Sequence, residues 1–141
     1  MPPAGLIDTG AIVAALDLDD DWHFACVEAL QALRLPLLTT EAVLTEVFHL
    51  VGTSAHNVEK AWKFVRSGAI TVRTMDDADL PELHALMSRY KDRPMDFADA
   101  TLVRLAERES MSTILTVDQN DFETYRIGGR KRFIVLPNRR S

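Results

Sequence analysis

The stretch "TILTVDQNDF", residues 113–122, begins as a buried strand and ends in charge. Thr113, Ile114, Leu115 and Val117 are β-prone or apolar, yet they lead directly into Asp118, with Asp121 and Phe122 close behind. Two readings stand open. Aspartate is a favoured N-cap, so a short helix starting here would use Asp118 for local structure only. If the strand belongs to a parallel sheet, Asp118 lies at its carboxyl end, the edge at which open α/β sheets bind ligands.

The rest of the chain supplies such a sheet. "MDFADATLVRLAERES" (95–110), just before the opening stretch, has the clearest helical period, and "RFIVL" (132–136) after it reads as a last short strand. Further upstream, "AGLID" (4–8), "PLLTT" (36–40) and "AITVRT" (69–74) read as buried strands. Helices are predicted between them: "GAIVAAL" (10–16), "DWHFACVEALQALR" (21–34), and "EAVLTEVFHLVG" (41–52), stopped by Gly52. "SAHNVEKAWKFVRSG" (54–68) follows, with Ser54 as N-cap and Gly68 as stop, then "DDADLPELHALMSRYK" (76–91), entered through acidic capping residues. Strands alternating with helices predict an α/β fold, a three-layer α/β/α sandwich with a mostly parallel central sheet. No repeat, low-complexity run or linker interrupts residues 1–141, so one domain is expected.

Composition narrows the function classes. With 141 residues, 47% of them hydrophobic, the chain is large enough for a core without disulfides or structural metals. The single cysteine, Cys26, has no internal partner and sits in an apolar helical pattern, as expected of a cytoplasmic protein in a reducing compartment. "MPPAGLID" lacks a basic segment ahead of its apolar residues, and no stretch approaches the roughly 18 apolar residues of a membrane span, so neither secretion nor membrane insertion is expected. A net charge of −5 argues against a general basic surface for nucleic acid. The sign is uneven, however. Arg126, Arg130, Lys131, Arg132, Arg139 and Arg140 follow one another with no acid between them, as a solvated tail or as a patch for phosphates.

Placing the acids on this framework changes their meaning. Asp8 and Asp118 both stand at the carboxyl ends of predicted strands and share one sheet rim. In the helix from Met95, at about 100° per residue, Met95, Leu102, Val103 and Ala106 lie within about 60° of Asp99, which puts that acid in the buried stripe. Asp96 falls on the edge of the same face, whereas Arg104 and Arg108 point away. The same arithmetic sets Glu46 beside Val43 and Leu50, at the border of its helix's apolar face. Local readings compete: Asp8 and Asp118 as helix caps, Glu46 turned to solvent, Asp96 and Asp121 as caps or supporting acids. The run "DLDDD" (17–21) reads as a solvated turn and helix start, and the four histidines share no ligand-type spacing, although His49 is one turn from Glu46.

If Asp8, Glu46, Asp99 and Asp118 converge, each close pair repels by about 1 to 4 kcal/mol at about 4 Å, depending on the effective dielectric. Several such pairs would consume a domain's net stability. Either some of the acids stay protonated or a divalent cation neutralises them, and an oxygen-only site suits Mg²⁺ or Mn²⁺. The cation is the more economical reading.

In their order along the chain, "LIDTGAI", "LLTTEAVLTEVFHL", "MDFADATLVRLAE" and "ILTVDQNDF" resemble the PIN-domain family, specifically its VapC-type toxins from bacterial VapBC toxin–antitoxin pairs. The resemblance runs from Leu6 to Leu136, and it is the set of motifs rather than any one of them that is specific. Carried over residue by residue, it implies an acidic metal site at Asp8, Glu46, Asp99 and Asp118, with Asp8, Asp99 and Asp118 as ligands of Mg²⁺, or Mn²⁺ in its place, and Glu46 acting on the attacking water. Thr116 corresponds to the hydroxyl residue of the family's T-x-D motif, and Asp96 and Asp121 match acids present in many members. The implied function is a metal-dependent ribonuclease that cuts RNA, is held off by a cognate VapB-type antitoxin and commonly forms a homodimer. Arg126, Arg130, Lys131 and Arg132 are the expected phosphate contacts.

Rival chemistries lack their residues. A haloacid-dehalogenase-like phosphatase needs a second acid two positions after Asp8, where Gly10 stands, and a receiver-like phosphoacceptor lacks its lysine. Neither G-x-G-x-x-G nor G-x-x-x-x-G-K occurs. The alternative from another class is a catalytically silent PIN-like module that binds RNA or protein.

Overall fold

The computed structural model describes residues 3–93 and 95–138. Strand and helix alternate: β1 (Leu6–Ile7), α1 (Thr9–Leu16), α2 (His23–Ala32), β2 (Leu37–Thr40), α3 (Glu41–Val51), α4 (Ala55–Val65) and β3 (Ile70–Arg73). A 3₁₀ turn at Asp77–Asp79 leads into α5 (Leu80–Arg89), followed by α6 (Phe97–Glu109), β4 (Thr113–Leu115), α7 (Gln119–Thr124), β5 (Arg126–Ile127), β6 (Lys131–Arg132) and β7 (Ile134–Leu136). Five strands form one parallel sheet in the order β3-β2-β1-β4-β7, flanked by helices. The expected α/β architecture is therefore present.

Why these short runs form strands is clear from their burial. Leu6, Ile7, Leu37 and Leu38 are essentially without solvent contact, as in a sheet covered on both faces. From β1 the chain crosses to β2 and β3 on one side, and β4 and β7 lie on the other. The direction of winding thus switches at β1, and the crevice between the carboxyl ends of β1 and β4 is where such sheets bind ligands. Register sets Ile7 opposite Leu115, and the Asp8 amide donates to the Leu115 carbonyl at 3.0 Å. Close approach is needed there: a Cβ on Gly10 would stand 2.4 Å from the Val117 side chain.

The helix through Asp99 is buried on more than a stripe. Ala98, Ala100, Leu102, Val103, Leu105 and Ala106 are all in the core, and Thr101 is buried among them. Thr40 links α6 to α3. The Thr101 hydroxyl donates to the Ala98 carbonyl, which leaves Thr40 to donate to Thr101 at 2.8 Å while its oxygen accepts the Val43 amide as N-cap of α3.

Local signals were met at most ends. Gly52 closes α3 with φ 77, a conformation that favours glycine, and Ser54 caps α4. That helix ends at Val65, short of the expected stop at Gly68. The short helix left open after Asp118 is present as α7, whereas the antiparallel hairpin β5–β6 lay outside the sequence reading.

Candidate active site

Four chain segments deliver carboxylates to one cavity of about 560 Å³. Asp8 follows β1, Glu46 projects from α3, Asp96 and Asp99 open α6, and Asp118 lies beyond β4; all five line the cavity with Thr9, Gly10, His49 and Leu50. No lysine or arginine is among its described lining residues.

Each acid is held differently. Asp8, 2% exposed, caps α1: its Oδ1 accepts the Thr9 amide at 2.7 Å and its Oδ2 accepts the Thr116 hydroxyl at 3.0 Å. Thr116 is itself fully buried and accepts the Asp118 amide at 3.0 Å, so one hydroxyl ties together the ends of β1 and β4. Asp118 occupies the N-cap position of α7, but its side chain makes no capping bond. Its carboxylate lines the cavity instead. Glu46 accepts the Thr9 hydroxyl at 2.7 Å. Asp96 caps α6 by accepting the Asp99 amide at 2.8 Å. Asp99 accepts the hydroxyl of Tyr125 at 2.9 Å.

Burial without cationic partners shows in the acidities. Desolvation lifts the Asp8 carboxyl to about 7, with the negative charges of Asp118 and Glu46 adding to it and the bonds from Thr9 and Thr116 opposing it. Asp99 rises to about 8, again chiefly through burial and then through Asp8 and Asp96. Desolvation also raises Glu46, which Asp96 pushes further, and Asp118, which Asp121 and Asp96 push further. Asp79 shows what partners do. It is 3% exposed, yet the Asp76 amide and the guanidiniums of Arg104 and Arg108 outweigh its desolvation and hold its carboxyl below the ordinary carboxylate range.

The five acids fit a hard divalent cation: their carboxylate oxygens are hard donors, and their shared penalty falls when positive charge enters. Among the described residues, no three of these acids are arranged to hold one ion directly between them. A cation would take one or two carboxylates and complete its shell with water, as Mg²⁺ generally does.

Not every expected residue joins the cavity. Asp121 pairs with Arg93 at 3.0 Å on the surface. Arg126 directs its guanidinium to the carbonyls of Glu123, Thr124 and Tyr125 at the end of α7, and Arg130, Lys131 and Arg132 are exposed on the hairpin. None of these four cations lines the cavity. Arg139 and Arg140 lie outside the described residues. Conversely, Thr9 and Tyr125 touch site acids and were missed. Thr9 adjoins Asp8 in sequence, a signal available to a reader asking what else the cap exposes; for Tyr125 no spacing signal exists.

Comparison with known proteins identifies the family and the fold. A family model described as PIN domain matches residues 5–127. Ribonuclease VapC26 of Mycobacterium tuberculosis is 30% identical over 135 residues, covering 94% of this chain and 99% of the relative. Among solved structures, M. tuberculosis VapC20, described as a sarcin–ricin loop cleaving toxin, superposes with a TM-score of 0.68 at 19% identity, over 78% of this chain and 86% of that one. VapBC2 of Rickettsia felis, bound to a promoter DNA fragment, gives 0.66 at 14% identity over 94% and 98% of the two chains. FitAB bound to the IR36 DNA fragment gives 0.63 at 17% identity over 93% and 94%.

Proposed function

The chain belongs to the PIN-domain family and groups with its VapC-type members, and we propose that it is a toxin endoribonuclease that hydrolyses RNA phosphodiester bonds with Mg²⁺ and is inhibited by a cognate VapB-type antitoxin. The observation that carries this reading is the convergence of Asp8, Glu46, Asp99 and Asp118, from four separate segments, on one cavity whose described lining offers no cation to neutralise them. The VapC26 name supports the reaction class, and the VapBC and FitAB complexes support a partner of the antitoxin kind.

In this reading Asp8, Asp99 and Asp118 hold the cation directly or through water. Bound Mg²⁺, or Mn²⁺ in its place, supplies charge neutralisation at the phosphodiester and acidifies the attacking water. Glu46, steadied by the Thr9 hydroxyl, orients that water and takes its proton. Thr116 fixes the Asp8 carboxylate and the Asp118 main chain relative to one another. Asp96 keeps the first turn of α6 in place, and Asp121 supports α7 from its ion pair with Arg93. Exposed Arg130, Lys131 and Arg132, with Arg126 behind them, meet phosphates of the RNA beyond the cleaved bond. The chain acts as a homodimer.

Incubation with RNA in Mg²⁺, with and without chelator, tests the reading. Cleavage that the chelator stops and Asp99→Asn abolishes in a folded protein is the expected result. Binding of RNA with no metal-dependent cleavage would assign the silent module instead. A small open reading frame directly upstream, encoding a protein with a DNA-binding N-terminus, is the expected genomic companion.

A further inference from the structure

We propose that Tyr125 is a positioning residue for Asp99, whose phenol fixes one carboxylate oxygen so that the other is presented to a divalent cation in the cavity. This inference rests on the ribonuclease reading above. The Tyr125 hydroxyl donates to Asp99 Oδ2 at 2.9 Å, and the whole side chain is shut off from solvent. Its ring is clamped edge-on by two others, Tyr90 at 5.0 Å and Phe122 at 5.1 Å between centroids. Phe122 is braced in turn by Phe133, and the Tyr90 hydroxyl accepts the Arg126 amide at 3.0 Å. A phenol held this way has no freedom to follow Asp99; Asp99 must conform to it.

The choice of donor matters. Packing alone would be served by phenylalanine, as at the neighbouring Phe122, and a phenol oxygen is costly to bury unless something needs its proton. An arginine in the same place would also satisfy Asp99, as Arg104 and Arg108 satisfy Asp79, but it would cancel the charge that attracts a cation. Tyrosine orients the carboxylate and leaves it negative. A phenol ordinarily keeps its proton up to about pH 10, so it is a donor at neutral pH. Partners of this kind, one step behind a metal ligand, typically govern affinity by about 10- to 100-fold.

The test is titration of Mn²⁺ into the full chain, followed by the free-ion paramagnetic signal, for the wild type, Tyr125→Phe and Tyr90→Phe. Tyr125→Phe is expected to weaken Mn²⁺ binding about tenfold and, at saturating metal, to lower kcat with KM for RNA unchanged. Tyr90→Phe removes a nearby phenol that does not touch Asp99, and is expected to bind as the wild type does. Because the chain has only two tyrosines, labelling with 3-fluorotyrosine gives a readout that needs no substitution at 125: its fluorine resonance is expected to shift on Mg²⁺ addition while that of residue 90 does not. A wild-type chain that takes up Mn²⁺ and is matched by Tyr125→Phe, or a residue-125 resonance indifferent to Mg²⁺ in a chain that binds it, overturns this inference alone. A wild-type chain that takes up no Mn²⁺ overturns it together with the ribonuclease reading.

Discussion

Thr116 gives its hydroxyl proton to Asp8 Oδ2 at 3.0 Å across the crevice between the two central strands. The Thr116 hydroxyl oxygen in turn accepts the Asp118 amide, so Thr116→Val, nearly isosteric, strips the buried Asp8 carboxylate and the part-buried Asp118 amide of their partner at once. The expected cost is about 1 to 3 kcal/mol in urea unfolding and a fall of about 10- to 100-fold in cleavage, with Thr116→Ser retaining most of both. Wild-type cleavage by the valine variant would show that the bridge does not organise the acids.

Metal-free stability should depend on pH in an unusual direction for carboxylates. Asp8 and Asp99 titrate at about 7 and about 8 in the folded chain, against an ordinary value of 3.8. Between those limits the folded chain keeps protons that the unfolded chain has released, so these two groups make stability fall as pH rises. With chelator present, Asp99→Asn is therefore expected to flatten the decline and to exceed the wild type at about pH 8.5 by about 1 kcal/mol or more. Urea midpoints at about pH 5.5 and about pH 8.5 decide it. A parallel decline in both proteins would contradict the burial of Asp99 with a neutral phenol, and no cation, as its partner.

Glu46 separates binding from chemistry. Glu46→Gln keeps the acceptor for the Thr9 hydroxyl but cannot take a proton. Cleavage should fall by about 100-fold or more while Mn²⁺ affinity changes by less than about threefold. A loss of affinity as large as the loss of rate would make Glu46 a ligand.

Asp79 provides the structural control. It is buried beneath Arg104 and Arg108 and contributes nothing to the cavity lining. Asp79→Ala removes the buried carboxylate that both guanidiniums share, leaving Arg104 with Glu107 and Arg108 with the Thr74 carbonyl, and is expected to destabilise by about 2 to 4 kcal/mol with Mn²⁺ affinity unchanged. Cation binding that falls while the fold persists would show the two regions to be coupled.

Legibility in the sequence followed periodicity. The α/β order and the placement of Asp8 and Asp118 at strand ends came from runs of apolar residues, and Asp99 came from its angle to Met95, Leu102, Val103 and Ala106. What lacked a period stayed hidden. Tyr125 reaches Asp99 from 26 positions away, a contact made only by the fold. Asp79 is one of the expected capping acids, its carboxylate accepting the Asp76 amide, but its two arginines lie on another helix and gave no local signal. The cations from Arg126 to Arg132 form a continuous run on paper, but the positive φ of Gly128 and Gly129 turns the chain into a hairpin against α6. A Gly-Gly pair between two short runs is a hairpin signal that would have found it.

The account depends on acids from distant segments sharing a divalent ion, and a crystal soaked in Mn²⁺ addresses that directly through anomalous scattering. The account predicts a peak in the cavity between Asp8, Asp99 and Asp118, within coordinating distance of at least one carboxylate oxygen and of ordered waters. Density for all three carboxylates with no anomalous peak among them, at Mn²⁺ concentrations that support RNA cleavage, would contradict it.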